Sequence, residues 1–247
     1  MSEKRYLILG ASSDIGVALI KELLCKGQQD VIICAQYHSD MQNLVELQSQ
    51  EKSLHLLKAD FSKPQEMPHF VNGAHAVLGI PTHIVHLPAE KFKYMRFKQF
   101  DWAVFARGLE IQVHSLVEVL KDFLPQMGKG VSRDKVVVML TAYTIGIPPK
   151  FMSDYIMIKY ALLGLVKSLA SEYAGKNISI NGLSPSMIET KFLSDIDPRM
   201  IEIVSGGSVG GKNAQVKDII PVIEFLLSEA SDYLNGINLN ASNGNTL

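Results

Sequence analysis

Tyr155 and Lys159 stand four residues apart in the stretch Ser153–Ala174, SDYIMIKYALLGLVKSLASEYA. If that stretch is helical, the spacing puts both side chains on one face, one above the other. A phenol alone is a weak acid, with a reference pKa of about 10. A neighbouring ammonium favours the phenolate and lowers that value. A tyrosine held beside a lysine can therefore exchange a proton with a substrate oxygen near neutral pH. The same pair also arises as two ordinary helix residues, so its weight depends on the elements that position it.

Those elements begin with Arg5–Leu9 (RYLIL), a short apolar run that reads as a strand. Gly10-Ala-Ser-Ser-Asp-Ile-Gly16 follows. Ile15, Ala18, Leu19, Leu23 and Leu24 then recur at helical spacing until Gly27. This is strand, glycine turn, helix. Glycine lets backbone approach a phosphate, and a helix N-terminus offers unpaired N–H groups and a positive dipole end. Ser12 and Ser13 add hydroxyl donors. Further strands are expected over Val31–Ala35, Leu54–Ala59, Pro81–Leu87, Lys135–Thr141, Ile178–Leu183 and Ile237–Leu239. Helices are expected over Asp40–Gln50, Glu66–Val71, Met95–Leu124 with a break near Gly108, the Tyr155 stretch and Val216–Leu227. His83 and His86 lie three apart on a strand, on opposite faces, which argues against a metal site. The strands are near-continuous apolar runs, as in a sheet covered on both faces. The expectation is one domain over 1–247, an α/β Rossmann-type doubly wound, mostly parallel sheet of about seven strands. Ligands on such sheets sit at the carboxyl ends of the strands.

Composition narrows the partners. Of 247 residues, 47% are apolar and 20% charged, and the formal net charge is −1. Nothing in that balance points to nucleic acid or to an anionic membrane. No run of 18 apolar residues occurs, and the start enters a strand directly, so a cytoplasmic location is expected. Cys25 and Cys34 both lie in apolar stretches and read as reduced core residues.

The ordered marks resemble the classical short-chain dehydrogenase/reductase family over nearly the whole chain. Gly10–Gly16 is similar to its glycine-rich turn, and Tyr155–Lys159 matches its Tyr-x-x-x-Lys signature. Leu87-Pro-Ala-Glu90 occupies the place of the usual Asn-Asn-Ala-Gly. Asn181-Gly-Leu-Ser-Pro185 resembles the stretch closing the sixth strand. Leu226-Leu-Ser228 and Leu234-Asn-Gly236 resemble the C-terminal segment. The resemblance implies hydride transfer between a nicotinamide cofactor and a carbonyl or alcohol. It implies that Tyr155 protonates the carbonyl oxygen, while Lys159 lowers its pKa and holds the nicotinamide ribose. It also implies cofactor contacts at Gly10, Ser12, Ser13, Asp14, Ile15 and Gly16, and at Tyr37, His38 and Ser39. Asp60 and Phe61, Leu87, Pro88 and Ala89, and Pro185, Ile188 and Thr190 complete the implied set.

Three positions depart from the family pattern. Asp14 stands where the turn has its middle glycine, and would repel a pyrophosphate if it pointed inward. Ala142 holds the place of the family's catalytic serine. Thr141 replaces that hydroxyl only if the strand end is bulged or the loop differs, because neighbours in a strand face opposite sides. Gln112 stands at the place of the helix asparagine of the family's proton relay.

Cofactor choice rests on Ala35-Gln-Tyr-His-Ser39, which has no acidic residue before Asp40 to hold a ribose 2′-hydroxyl. NADP(H) is therefore favoured over NAD(H). Met187–Asn213 should be the substrate loop, with a mobile Ser205–Lys212. Two functions compete. One is an NADP(H)-dependent reductase of a small-molecule carbonyl, with 3-oxoacyl-thioester reductases the most similar subgroup through Ile188-Glu-Thr190. The other is a catalytically impaired relative serving as a nucleotide-binding or assembly subunit. The resemblance further implies a homo-oligomer, tetramer or dimer.

Overall fold

The computed structural model describes residues 3–25, 31–39, 41–91 and 93–244. Its strands are β1 (Lys4–Leu9), β2 (Val31–Tyr37), β3 (Leu54–Lys58), β4 (His83–His86), β5 (Asp134–Met139), β6 (Ile178–Pro185) and β7 (Asn238–Ala241). They form one sheet in the order β3-β2-β1-β4-β5-β6-β7. Every neighbouring pair is parallel. The helices are α1 (Asp14–Cys25), α2 (Gln42–Gln50), α3 (Met67–Leu78), α4 (Trp102–Leu109), α5 (Ser115–Phe123), α6 (Ser153–Glu172), α7 (Pro198–Gly207) and α8 (Val216–Leu227).

The strands are apolar on both faces because helices cover both. Leu7, Leu9, Ile84, Val136 and Val138 pack under α3, α5 and α6. Ile8, Ile33, Val85, Val137 and Leu183 pack under α1 and α8. The strand order reverses between β1 and β4. Chains leaving those two strands diverge, which opens a crevice at their carboxyl ends.

Several elements differ from the sequence expectation. The helix expected over Met95–Leu124 starts only at Trp102, after Asp101 caps it by accepting from Ala103 N at 2.8 Å. It is not broken at Gly108. Instead a π turn, Glu110–His114, joins α4 to α5. Ser115 N bonds to the Glu110 carbonyl, and Ser115 Oγ turns back onto the Ile111 carbonyl at 2.7 Å. Gly108 is there for a close approach, since a Cβ would sit 2.6 Å from Ile158 Cδ1 of α6. The short helix expected from Glu66 continues to Leu78. The segment expected as the substrate loop carries a 3-10 turn, Lys191–Asp195, and then α7. Cys34 is buried as expected, but Cys25 ends α1 and is exposed. Asp40 and Gly27 lie outside the described residues.

Candidate active site

The glycine turn is locked by its own serine. Ser13 Oγ donates to the Gly10 carbonyl at 2.8 Å and accepts from Gly16 N at 3.1 Å, which caps α1. Gly10 has φ +71°, and a Cβ on it would lie 2.8 Å from Pro88 N. Only glycine lets β1 turn that close to the chain leaving β4. Gly16 meets a different need. A Cβ there would lie 2.5 Å from the Ala11 carbonyl oxygen, so the residue packs the helix on its own turn and does not line the cleft. Gly10, Ser12, Ser13, Asp14 and Ile15 do line it.

The cleft holds about 1060 Å³. Asp14 turns its carboxylate toward the far rim, where Oδ2 accepts from Lys191 N at 2.7 Å. The anion at the helix start is thus tied to the 3-10 turn Lys191–Asp195.

His38, Ser39, Asp60 and Phe61 form the end of the cleft above β2 and β3. Ser62 donates to Asp60 Oδ1 from its N at 3.0 Å and from its Oγ at 2.7 Å. Partial burial opposes ionisation of Asp60, but these bonds and the nearby His38 pull its carboxyl below the usual range. His38 Nε2 lies 3.4 Å and Lys63 Nζ 3.5 Å from Asp60 Oδ2. Tyr37 is not on this wall. β2 runs on to Tyr37, which leans into the core beneath α1 and α8. The cleft position belongs to Gln36, which accepts from Gly10 N at 2.8 Å and donates to the Ala59 carbonyl at 2.8 Å. A lone glutamine inside an apolar strand was the signal for it.

Leu87, Pro88 and Ala89 line the centre. Glu90 pairs with Arg107 Nε at 3.0 Å, which ties the β4 exit to α4. Burial raises the Glu90 carboxyl, and Arg107 opposes that rise.

β5 ends at Met139, so Thr141 escapes the strand alternation. It is extended (φ −155°, ψ 146°) just before the 3-10 turn Ala142–Thr144, and its carbonyl accepts from Thr144 N at 2.9 Å. This turn aims the Thr141 side chain into the cleft, where it shares a hydrogen bond with the Tyr155 hydroxyl. Ala142 is buried and off the wall.

α6 places Tyr155 and Lys159 one above the other, with Lys159 Nζ 5.6 Å from the Tyr155 ring centroid. Lys159 also donates to the Met139 carbonyl at 3.1 Å. The expected lowering of the tyrosine pKa is absent. Burial holds Tyr155 above its ordinary value, against the Thr141 hydrogen bond. Burial likewise pushes Lys159 down to about 7. The lysine sits over the ring face, where its charge does not offset the effect of burial on the resting phenol.

Gln112 does not reach the cleft. It lies beneath it in the π turn, 1% exposed, and its Oε1 has no hydrogen-bond partner among the described residues.

Pro185, Ile188 and Thr190 line the far wall. Sequence reasoning placed a loop here but did not single out the apolar cluster beside them. There Met152, Ile156, Leu193 and Ile196 form a small buried cluster against Tyr94, Tyr143 and Phe192. Burial pushes Tyr143 up to about 12, so it stays a neutral phenol. Lys91 closes the rim, donating to Ser194 Oγ at 2.6 Å and Asp195 Oδ1 at 3.0 Å.

The fold and the cleft define a doubly wound α/β domain of the dinucleotide-binding kind. Residues 10–246 match the family model described as enoyl-(acyl carrier protein) reductase, adh_short_C2. A dehydrogenase/reductase SDR family member 4 of Rattus norvegicus is 26% identical over 239 residues, 96% of this chain and 85% of the relative. An NADPH-dependent aldehyde reductase 2, chloroplastic, of Arabidopsis thaliana is 24% identical over 76% of this chain and 70% of the relative. Among solved structures, a short-chain dehydrogenase/reductase of Serratia marcescens superposes with TM-score 0.86 at 19% identity, covering 98% of this chain and 97% of that one. A blue fluorescent protein from a metagenomic library, in complex with NADPH, superposes with TM-score 0.87 at 20% identity over 99% and 98%. The chain belongs to the short-chain dehydrogenase/reductase family, and so to the NAD(P)-dependent oxidoreductases.

Proposed function

We propose that the protein reduces a small-molecule carbonyl to an alcohol with NADP(H), using Tyr155 as the acid. The carrying observation is that Thr141, Tyr155 and Lys159 meet on the wall of the cleft that the glycine turn opens. The residues present fit a dinucleotide. Gly10, Ser12 and Ser13 line the cleft, and the α1 N-terminus faces the same space.

A bound reduced nicotinamide would supply the hydride. The chain's own groups do the rest. The Thr141 hydroxyl donates to the substrate oxygen and orients it at Tyr155. Tyr155 keeps its proton at neutral pH and gives it up only as negative charge develops on that oxygen. Lys159, charged below about pH 7, stabilises the phenolate that results.

Support for NADP(H) comes from the absence of a carboxylate from Gln36 to Ser39, at and just past the end of β2, and from His38 and Lys63 beside the adenosine end. Two similar proteins carry NADPH in their names. A fluorescence titration tests this directly. Micromolar binding of NADPH and at least tenfold weaker NADH is expected, a gap of about 1.4 kcal/mol. Equal affinities would remove the preference. Binding of neither would favour the impaired, assembly-type relative instead. A 3-oxoacyl thioester is one substrate to try, and the apolar, aromatic lining around Tyr143 and Phe192 suits an alkyl or aryl ketone as well.

We also infer a homo-oligomer. Phe97, Trp102 and Val104 around α4, and Met157 and Tyr160 on α6, are large apolar or aromatic side chains left exposed. Such patches mark contact surfaces. Sedimentation should give a dimer or tetramer, and Trp102→Glu should shift it to monomer. A wild-type monomer at micromolar concentration would reject the inference.

A further inference from the structure

β4 carries two buried histidines in unlike settings. His83 points to the α1 and α8 face, where Nδ1 lies 2.7 Å from Thr82 Oγ1 and Nε2 lies 3.1 Å from the Leu227 carbonyl. Its ring packs on Tyr6, with centroids 4.5 Å apart. That is a core histidine with its polar atoms satisfied. His86 points to the opposite face and is 0% exposed, and neither ring nitrogen has a hydrogen-bond partner among the described residues. The carbonyls of Gln112 and of His86 itself lie near enough to favour its protonated form, yet neither makes a hydrogen bond of ordinary geometry. An apolar side chain would fill this place at lower cost, so a polar one there asks for a reason.

The reason stands beside it. His86 pairs with Val138 across the sheet, and the next residue, Met139, supplies the carbonyl that Lys159 Nζ bonds. Neighbouring strands lie about 4.8 Å apart. The imidazole and the ammonium therefore share one end of one face. An ammonium has three N–H donors. Among the described residues the Met139 carbonyl is the one hydrogen-bond partner of Lys159, which is 2% exposed. Gln112, with its own unpartnered Oε1, lies in the same layer. Ile84, Leu116, Val138 and Leu162 make that layer otherwise apolar.

We propose that His86 is a positioning residue for Lys159: its imidazole gives the buried ammonium a second acceptor through one bridging water, and so keeps the lysine charged beside Tyr155. Burial, with the lysine's charge second, pushes His86 down to about 3, so it is neutral at working pH and serves as an acceptor. β1 at Leu9 and β5 at Val138 bring it no charge. In the π turn Glu110 and His114 pair with each other at 2.9 Å. α6 brings Lys159, the charge that His86 senses. The proposal rests on Tyr155 being the acid, and one arm of its test does not depend on turnover.

That arm is ¹⁵N NMR of the histidine rings, with His86 assigned from His86→Phe. The His86 ring resonances should move through a transition near the Lys159 value of about 7, and should stop moving in Lys159→Met. Resonances that stay still from pH 6 to pH 8, or that move equally in the lysine variant, overturn the proposal. The second arm is the pH profile of kcat/KM for reduction. In the wild type the rate falls as pH rises through the lysine's value and its charge is lost. In His86→Phe, which keeps the bulk and removes the acceptor, the fall should begin about one pH unit lower, so activity at pH 7 drops about fivefold. His86→Asn, which keeps an acceptor, should restore the profile. A profile unchanged in His86→Phe, or not restored by asparagine, overturns the proposal and leaves His86 as packing.

Discussion

Tyr155→Phe should lower kcat for carbonyl reduction by about 10²–10⁴-fold, the span of a positioned general acid, while the NADPH dissociation constant stays within about twofold. The substitution removes one oxygen and little else. The ring remains against Met152 and Ile156, and the Lys159 cation stays over it. The fold and the lysine should therefore survive the change. What is lost is the proton that the developing alkoxide takes. Burial keeps Tyr155 protonated well past neutrality, so nearly every wild-type molecule carries that proton at pH 7. Single-turnover rates with saturating NADPH would measure the loss. If the variant matched the wild type, Tyr155 would not be the acid, and the mechanism above would be wrong.

Thr141→Val should cost the next largest amount, about 10²–10³-fold in kcat, as for removal of one oxyanion-hole donor. Valine keeps the branched shape that the extended backbone at 141 accommodates. It removes the hydroxyl that meets Tyr155. Ala142→Ser separates this account from one based on the family's usual position. Residue 142 is buried away from the cleft, so a serine there should not rescue Thr141→Val. Rescue would show that position 142 reaches the substrate and that Thr141 is a bystander.

Much of the fold was legible because both signals that carry it are local. The apolar runs gave seven strands, and helical spacing placed Tyr155 and Lys159 on one face. Thr141 was harder. Alternation decides its direction only while the strand continues, and β5 stops at Met139. Tyr37 entered by resemblance alone, and β2 runs two residues beyond Ala35, which leaves Tyr37 on the core and gives the cleft Gln36. Asp14 was undecidable in principle from nearby residues. Its partner is the backbone of Lys191, 177 positions away. The lysine's effect on Tyr155 was read from proximity alone, whereas burial of both groups governs their charges. The π turn left no trace in the pattern, since α4 and α5 each keep an apolar face on either side of it.

That turn makes chain length itself a structural quantity. A π turn contains one residue more than the α turn it replaces. Removing any one residue from Glu110–His114 would let an ordinary helix run through. It would leave α4 and α5 in their present phase, because the wide turn absorbs the extra residue without passing its rotation of about 100° on. Forcing a plain α-helix through the segment with all its residues kept would do the opposite: Arg107 would swing away from Glu90, and Phe105 would leave the interior. The turn is slack taken up in one place, so that a chain one residue too long for its groove still lies true on either side.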